Sequence, residues 1–142
     1  MGYFLLYESM LDTILYARDK WLAPDGILMP DRATIYLAAI EDEDYRKKKI
    51  GFWDDVYGVS MKPIQLWALL EPLVDIVDKE QINTNACAVL DLDLKTMKPS
   101  EVEFSSQWQL EMKRKDKVHA LVAWFDVFFS KGSYPVRLTT SD

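Results

Sequence analysis

A single carboxylate stands in the apolar and aromatic opening of the chain, and it is the first group to consider for chemistry. The stretch MGYFLLYESML holds Glu8 among leucine, tyrosine and methionine side chains. Burying an unpaired carboxylate is costly, so one kept in such a setting must have a partner. The natural partner is a guanidinium, whose planar fork of N–H donors matches two carboxylate oxygens. The residue types leave a second interpretation equally open, in which Glu8 only favours the positive end of a helix dipole.

Two other potentially reactive side chains occur once each in the sequence. His119 begins a strongly β-forming stretch, and Cys87 lies in TNACAVL far from it. One histidine and one distant cysteine cannot supply the ligand set of a zinc site, so no metal site is predicted. We expect a structural or surface role for His119 and a small core residue in Cys87. The sequence contains no G-x-G-x-x-G motif, P-loop or nucleophile elbow.

Composition limits the classes of function. The 142 residues are the size of one ordinary domain, and a net charge of -6 makes binding to a phosphate backbone unfavourable. An acidic protein can instead attract a basic partner. No Lys or Arg precedes Arg18, and no run of about 20 apolar residues occurs, so neither a signal peptide nor a membrane span is predicted. We therefore expect a soluble, intracellular protein without an internal disulfide.

The elements that must position these residues begin with a helix. Apolar residues recur at helical spacing from Ser9 to Leu22, and Ser9 with Asp12 resembles a capping box. The stretch APDGILMPD then predicts a loop, because its proline and glycine residues break regular structure. RATIYLAAI follows as a predicted buried strand.

A highly charged segment, EDEDYRKKKIGFWDDVYGVSM, comes next. Its acidic residues precede its basic ones, the order that suits a helix dipole. Its second half carries more aromatic surface than a short solvated helix normally has. Two interpretations remain open from the residues alone: the rings pack on the parent domain, or the segment is a projecting arm that docks on a partner.

The last third of the chain has a β pattern. In EVEFSSQWQLEMK the apolar residues alternate with polar ones, RKDK follows as a polar turn, and VHALVAWFDVFFS returns as a more buried strand. This pattern predicts a hairpin. The residues expected on one face of its first strand are Val102, Phe104, Trp108, Leu110 and Met112. AVLDLDL is a shorter predicted strand before it, so the chain is expected to be α+β, with a helix followed by mainly antiparallel β structure.

Several of these strings together resemble one family. MGYFLLYESMLDTILYARDKWL closely resembles the double-Glu loop and following helix of the type I protein arginine methyltransferases. PDRATIYLAAIEDEDY is similar to the start of that family's β-barrel domain, and FWDDVYGVSM to its dimerisation arm. EPLVDIVD, INTNACAVLDLDL and HALVAWFDVFF resemble successive barrel segments. The resemblance covers essentially the whole chain.

The resemblance implies a domain organisation. Residues 1–30 would be the end of the catalytic domain, and residues 31–142 a partial, incomplete β-barrel that binds substrate, interrupted by a helical dimerisation arm at about 41–66. The Rossmann-type cofactor domain, the first glutamate of the double-Glu loop and the Thr-His-Trp loop would all lie outside this sequence.

It also implies residue roles. Glu8 would be the second glutamate of the pair, the catalytic one present here, and Tyr3 and Met10 would line the arginine pocket, with Met10 also beside the cofactor. The family chemistry is methyl transfer from S-adenosylmethionine to protein arginine, with asymmetric dimethylarginine as the expected product. The arm residues would be Ile50, Phe52, Trp53, Val56, Tyr57 and Met61.

The expected partners follow from the same resemblance. Substrates would be arginine- and glycine-rich proteins or histones, and the arm would form a homodimer, or a heterodimer with a full-length methyltransferase, in the cytoplasm and nucleus. Neither nucleic acid nor membrane is expected as a direct partner. The 142-residue chain alone is expected to be inactive. The alternative is a non-catalytic interaction module that dimerises with a full-length methyltransferase through its arm.

Overall fold

The computed structural model describes residues 4–141. The chain divides into two compact units. The sheet unit comprises residues 1–37, 86–109 and 123–142, and the arm unit comprises residues 38–85 and 110–122. The predicted boundary between a catalytic-domain end at residues 1–30 and a partial barrel at residues 31–142 stays a prediction. The two compact units group residues by their contacts and do not test that boundary.

The predicted N-terminal helix is confirmed as α1, Met10–Trp21. Leu11 and Leu15, four positions apart and so on one helical face, are both buried. The capping-box prediction is wrong. Ser9 has left-handed backbone angles, with φ of 54°, and its side chain makes no capping hydrogen bond. A capping residue normally has extended backbone angles, which direct its oxygen at the free N–H groups of the first turn.

The sheet has four strands in the order β2-β1-β3-β4 and is not closed. Its strands are β1 Arg32–Ile40, β2 Cys87–Asp93, β3 Ala120–Phe129 and β4 Val136–Thr139. β1 and β2 are antiparallel from Arg32↔Asp93 to Leu37↔Cys87, and β3 and β4 are antiparallel over the last residues of β3. The predicted fold, α+β with an incomplete, mainly antiparallel barrel, is confirmed.

The predicted hairpin between residues 101–113 and 118–130 is wrong. Pro99–Val102 form a 3-10 turn, and the stretch that follows has no strand, only an isolated bridge between Met112 and Thr84. Phe104 and Trp108 are 44% and 48% exposed, and among the alternating residues Val102 packs against buried side chains from the 3-10 turn and not from a strand. β3 pairs instead with β1 and with β4, a short strand that the sequence pattern did not predict.

Two clusters of buried side chains form the core of the sheet unit. The helix cluster joins α1 to the end of β2 and the turn after it, and consists of Leu11, Leu15, Leu92, Leu94 and Met97. The loop cluster joins the segment before α1 to β1 and β3, and consists of Leu5, Ala33, Ile35 and Val127. Burying one such leucine stabilises a fold by about 1.5–3 kcal/mol.

The arm unit is mainly helical in its first half. A continuous run starts with α2, Glu43–Tyr45, and passes through a π-helical turn at Arg46–Ile50 into a 3-10 turn at Gly51–Asp54. Helix α3 spans Lys62–Leu70. Short 3-10 turns complete the described elements, at Tyr7–Ser9 in the sheet unit and Lys79–Gln81 in the arm unit. Within residues 4–141, no helix is long and apolar enough to cross a membrane.

Candidate functional site

Glu8 lies in the Tyr7–Ser9 turn directly before α1, and its side chain is exposed. Met10, the first residue of α1, is 46% exposed. The two predicted site residues therefore both reach the surface at the N-terminal end of this helix. Tyr3, the third predicted pocket residue, lies outside the described residues. Because Glu8 is exposed, water solvates its charge within this chain, and the carboxylate does not need a buried partner.

The segment before α1 is bent so that Leu5 turns inward while Tyr7 and Glu8 turn outward. Leu5 is 2% exposed and belongs to the loop cluster. Phe4 meets the ring of Phe125 in β3 edge to face, with 5.9 Å between ring centroids. Glu8 has a φ of 67°, in the left-handed region that non-glycine residues rarely adopt. The sheet thus supports the loop that presents the carboxylate.

The predicted arm residues divide by exposure. Ile50 is buried within the arm unit, and its carbonyl accepts a 2.9 Å hydrogen bond from the side chain of Gln65. Phe52 is 46% exposed and lies edge to face with Trp53, at 5.2 Å between ring centroids. Val56, Trp53 and Met61 are of intermediate exposure. Ile50 therefore serves the interior of the arm unit, and the surface begins at Phe52.

A tight turn presents Tyr57 to solvent. The main-chain N–H groups of Val56 and Val59 each donate to the other residue's carbonyl, at 2.8 and 3.1 Å. Between them Tyr57 and Gly58 have φ values of 53° and 89°, and the carboxylate of Asp55 accepts the Gly58 N–H at 2.6 Å. Tyr57 is 99% exposed. A ring carried on a hydrogen-bonded turn is suited to docking, because the backbone that carries it is already ordered and loses little entropy on binding.

Sequence reasoning missed a second apolar surface beside this turn. Helix α3 has no buried residue, and Trp67 and Leu70 are 75% and 77% exposed. The exposed apolar residues of α3 and the stretch after it are Ile64, Leu66, Trp67, Leu69, Leu70, Leu73, Val74 and Ile76. The uncharged run PIQLWALL was the signal available in the sequence. Such a concentration of exposed apolar residues is more than a solvated helix normally carries.

His119 has a structural position at the start of the arm unit's helical run. Its Nδ1 accepts a 3.1 Å hydrogen bond from the main-chain N–H of Asp42 and lies 3.4 Å from a carboxylate oxygen of Glu41. It also lines a cavity of about 840 Å³ in the arm unit. Nearby, a hydrogen bond from Arg114 lowers the pKa of Asp116. Among residues 4–141, no group of three or more His, Cys, Asp or Glu side chains is arranged to hold a metal ion.

A second cavity, of about 560 Å³, lies in the sheet unit beside a cross-strand ion pair. Arg32 and Asp91 join β1 to β2, and the hydrogen bond from Arg32 lowers the pKa of Asp91. Hydrogen bonding from Ser130 likewise lowers the pKa of Asp31. Neither of these two cavities includes Glu8 or Met10. The candidate site at the head of α1 is therefore an exposed surface within the described part of the chain.

The sequence of the chain is similar to a known family and to individual proteins of that family. Residues 31–142 match the family model described as the arginine methyltransferase oligomerization subdomain. The chain is 59% identical over 140 residues to protein arginine N-methyltransferase 1 of Schizosaccharomyces pombe, and 55% identical over 141 residues to the protein of the same name from Chlamydomonas reinhardtii. Each match covers 99% of this chain but 41% of the relative. The chain thus spans well under half the length of these relatives.

A solved structure agrees with the sequence comparisons. The Trypanosoma brucei PRMT1 enzyme-prozyme heterotetrameric complex with AdoHcy contains a chain that superposes with a TM-score of 0.91 at 40% identity. The match covers 99% of this chain and 45% of that one. The open sheet, the helix before it and the helical insertion are therefore shared with a chain of known structure.

Proposed function

Because the chain belongs to the arginine methyltransferase family, we propose that it works as part of a protein arginine N-methyltransferase. That enzyme would transfer a methyl group from S-adenosylmethionine to the guanidinium of arginine in a protein, with asymmetric dimethylarginine as the product. The observation that supports the proposal is the presentation of Glu8 on the surface, directly before α1, by a loop that is anchored in the sheet unit through the buried Leu5.

Glu8 has a defined task in this chemistry. Arginine stays protonated at physiological pH, so its guanidinium is a poor nucleophile with five N–H donors. Two oxygens of Glu8 accept N–H bonds from it, fix its orientation and hold positive charge on the nitrogens they contact. Another nitrogen then carries more electron density and is free to react. Most of the resulting rate gain comes from positioning and electrostatic stabilisation.

The arginine pocket is proposed to include Tyr3 and Met10 beside Glu8. Met10 offers a polarizable, apolar side chain next to the reacting nitrogen. S-adenosylmethionine, when bound, supplies the methyl group as a sulfonium. Within residues 4–141 the candidate contact to it is Met10 alone, and neither described cavity includes that residue. The described residues do not by themselves fit around this cofactor, so no step through it is assigned to them.

A chimeric enzyme tests this function. The matching 140 residues of the Schizosaccharomyces pombe relative are replaced by this chain, and methyl transfer to an arginine- and glycine-rich peptide is measured. We expect activity, with asymmetric dimethylarginine identified by mass spectrometry. Glu8→Gln keeps the shape of the side chain but removes its charge, so kcat should fall by about 10²-fold or more.

The control for that substitution is Asp12→Asn, which neutralises another exposed carboxylate, four positions after Glu8 and in the first turn of α1. It should leave kcat within about threefold of the unsubstituted chimera, since surface substitutions away from a site usually have small effects. Equal losses in the two variants would contradict the role of Glu8. An inactive chimera that is folded and dimeric would contradict the proposed function itself. The purified 142-residue chain, tested alone, should neither bind S-adenosylmethionine nor transfer methyl groups.

The arm unit is proposed to join two subunits, as a homodimer or as a heterodimer with a full-length methyltransferase. Tyr57, which is 99% exposed on its turn, supports this role, and so does the apolar surface of α3. Aromatic residues at the centres of interfaces contribute much of the binding energy. Substrates would be arginine- and glycine-rich proteins or histones, methylated in the cytoplasm and nucleus.

A second candidate function is favoured by the same exposed ring. The chain would then act as a non-catalytic module that dimerises with a full-length methyltransferase. Co-purification of the tagged chain with the Schizosaccharomyces pombe relative tests this, and the double substitution Trp53→Ala, Tyr57→Ala should abolish it. Tyr16→Ala, which removes an exposed ring of α1, is the control. Failure of the unsubstituted chain to co-purify would count against the module.

A further inference from the structure

We propose that Leu5 is a positioning residue for Glu8: by inserting into the loop cluster, it holds the segment before α1 in the strained form that turns the carboxylate outward. The inference rests on the proposed function of Glu8 and goes further. It states that packing against β1 and β3 sets the position of the Glu8 carboxylate. Leu5 has no polar atom in its side chain and no role in the chemistry itself.

The segment from Phe4 to Ser9 has an unfavourable backbone. Four of its residues that are not glycine have positive φ values, in the left-handed region: Phe4 at 49°, Leu5 at 63°, Glu8 at 67° and Ser9 at 54°. In this region the Cβ of an L-residue crowds the following carbonyl oxygen, so each such residue raises the free energy of the loop. A conformation of this kind persists only where the surrounding structure over-determines it.

Leu5 supplies the main contact that holds this conformation. Its side chain is 2% exposed and packs with Ala33 and Ile35 of β1 and Val127 of β3. These three sheet residues are themselves buried. A leucine side chain removed from water in this way stabilises the bent loop through its buried apolar area.

Two neighbours reinforce the same attachment. The ring of Phe4 lies edge to face against Phe125 of β3, and Leu6 packs against both core clusters. The main-chain N–H of Leu6 donates to the carbonyl of Phe4 at 2.8 Å, which closes the first bend. With these side chains fixed inward, the left-handed backbone at Glu8 directs its side chain to the surface.

Loss of the Leu5 side chain should therefore act on turnover more than on binding. Leu5→Ala in the chimeric enzyme lets the loop relax toward ordinary backbone angles and moves the Glu8 carboxylate. A displacement of about 1 Å in a positioning group can cost about 10²-fold in rate, so we expect kcat to fall by at least about tenfold. KM for the peptide should change by less than about threefold, because the rest of the peptide's contacts remain.

Matched variants separate positioning from general destabilisation. Leu94→Ala removes the same side chain, 1% exposed, from the helix cluster, and should lower kcat by less than about threefold below the unfolding temperature. Leu5→Met, which nearly conserves volume, should restore kcat to within about threefold. Val127→Ala acts on the sheet side of the contact, and its effect on kcat should not add to that of Leu5→Ala.

Amide hydrogen exchange gives a readout that does not need activity. Leu5→Ala should speed exchange in residues 4–10 of the chimeric protein, while Leu94→Ala should not change that segment selectively. Equal effects of Leu5→Ala and Leu94→Ala on kcat, or on exchange in this segment, would overturn the inference. If the unsubstituted chimera is folded and dimeric but inactive, the proposed function fails, and the exchange comparison still decides whether Leu5 holds the loop.

Discussion

Arg18 of α1 donates a 2.8 Å hydrogen bond from Nη1 to the main-chain carbonyl of Leu94, a residue 76 positions further along the chain. The same nitrogen donates to the carbonyl of Met97, also at 2.8 Å, and the Arg18 side chain is only 9% exposed. The guanidinium thus ties the helix to the turn that follows β2. This turn contributes Leu94 and Met97 to the helix cluster, so the polar contact and the apolar packing act on the same segment.

Replacing Arg18 by Met should destabilise the sheet unit. The substitution keeps a long apolar stem but leaves the two carbonyls without this donor, which costs about 1–3 kcal/mol in the free energy of unfolding. Urea-induced unfolding, monitored by circular dichroism, measures this loss in the free energy of unfolding. Lys20→Met, at an exposed position of the same helix, is the control and should change stability by less than about 0.5 kcal/mol. A similar loss in both variants would mean that Arg18 acts through general surface charge.

Asp91 should make the stability of the chain depend on acidic pH. The hydrogen bond from Arg32, with a further one from the hydroxyl of Thr34, lowers the pKa of Asp91 in the folded chain. A carboxyl whose pKa is lowered by folding stabilises the fold above its unfolded pKa of about 4. That contribution is lost as the pH falls through the folded pKa. Because the side chain is 45% exposed, the pair is screened, and we expect less than about 1 kcal/mol.

Asp91→Asn checks this pH dependence. Unfolding free energies measured from neutral pH downward should fall less steeply below a pH of about 4 for the variant than for the unsubstituted chain. Glu103→Gln, which neutralises an exposed carboxylate in the same unit, is the control and should leave the slope nearly unchanged. Parallel curves for Asp91→Asn and the unsubstituted chain would contradict the assigned ion pair.

Gly58→Ala should strain the turn that presents Tyr57. The φ of Gly58 is 89°, and nothing lies within 4 Å of a Cβ added there, so the cost arises from the backbone alone. We expect about 1 kcal/mol of destabilisation, together with weaker association through the arm. Thermal unfolding and analytical ultracentrifugation measure the two effects. Gly51→Ala is the control, because Gly51 has a helical φ of -63° and room for a Cβ, and it should be neutral or stabilising.

Asn83→Asp should be more damaging than Asn83→Ala. Asn83 is fully buried, and its Nδ2 donates to the carbonyl of Lys117 at 2.6 Å. Alanine loses that bond, at about 1–3 kcal/mol, whereas a buried carboxylate would face a carbonyl oxygen and stay uncompensated. Burial raises the pKa of the introduced Asp, so its destabilisation is largest above the folded pKa. It shrinks as the pH falls toward the unfolded pKa.

Urea unfolding at neutral and acidic pH measures this difference. Asn85→Asp is the control, since the oxygen of Asn85 already accepts the main-chain N–H of Glu111 at 2.7 Å and a carboxylate can keep that bond. Its penalty should be smaller than that of Asn83→Asp at neutral pH. Equal losses of unfolding free energy for Asn83→Asp and Asn85→Asp would show that burial of the side chain does not determine the destabilisation.

Elements with a strong local signal were predictable from the sequence. α1 was predictable because Leu11 and Leu15 repeat at helical spacing, and β1 because RATIYLAAI is β-branched and apolar between loop-forming residues. β2 and β3 were recognisable for the same reason. The exposure of Tyr57 was only partly predictable. The aromatic residues of its charged segment indicated either packing on the parent domain or docking on a partner. These features depend on residues close together in the chain.

Pairing between distant segments was not predictable in the same way. The alternation from Val102 to Met112 met every local criterion for a strand, yet the hydrogen-bonding edges of β3 are taken by β1 and β4. Strand propensity describes how well side chains suit a pleated, half-buried surface, and it does not say which edge is free. The short β4 has an ordinary local pattern and becomes a strand because β3 offers it an edge.

By itself the sequence determined the α+β class, the position of α1 and the presence of one carboxylate in an apolar opening, because these depend on composition and short-range spacing. Only the tertiary structure decided that Glu8 faces outward while Leu5 lies inside the sheet unit. It alone placed His119 against Asp42 and left α3 without a fully buried residue. The physical reason is that burial and backbone strain are properties of contacts between residues far apart in the chain, which local patterns do not contain.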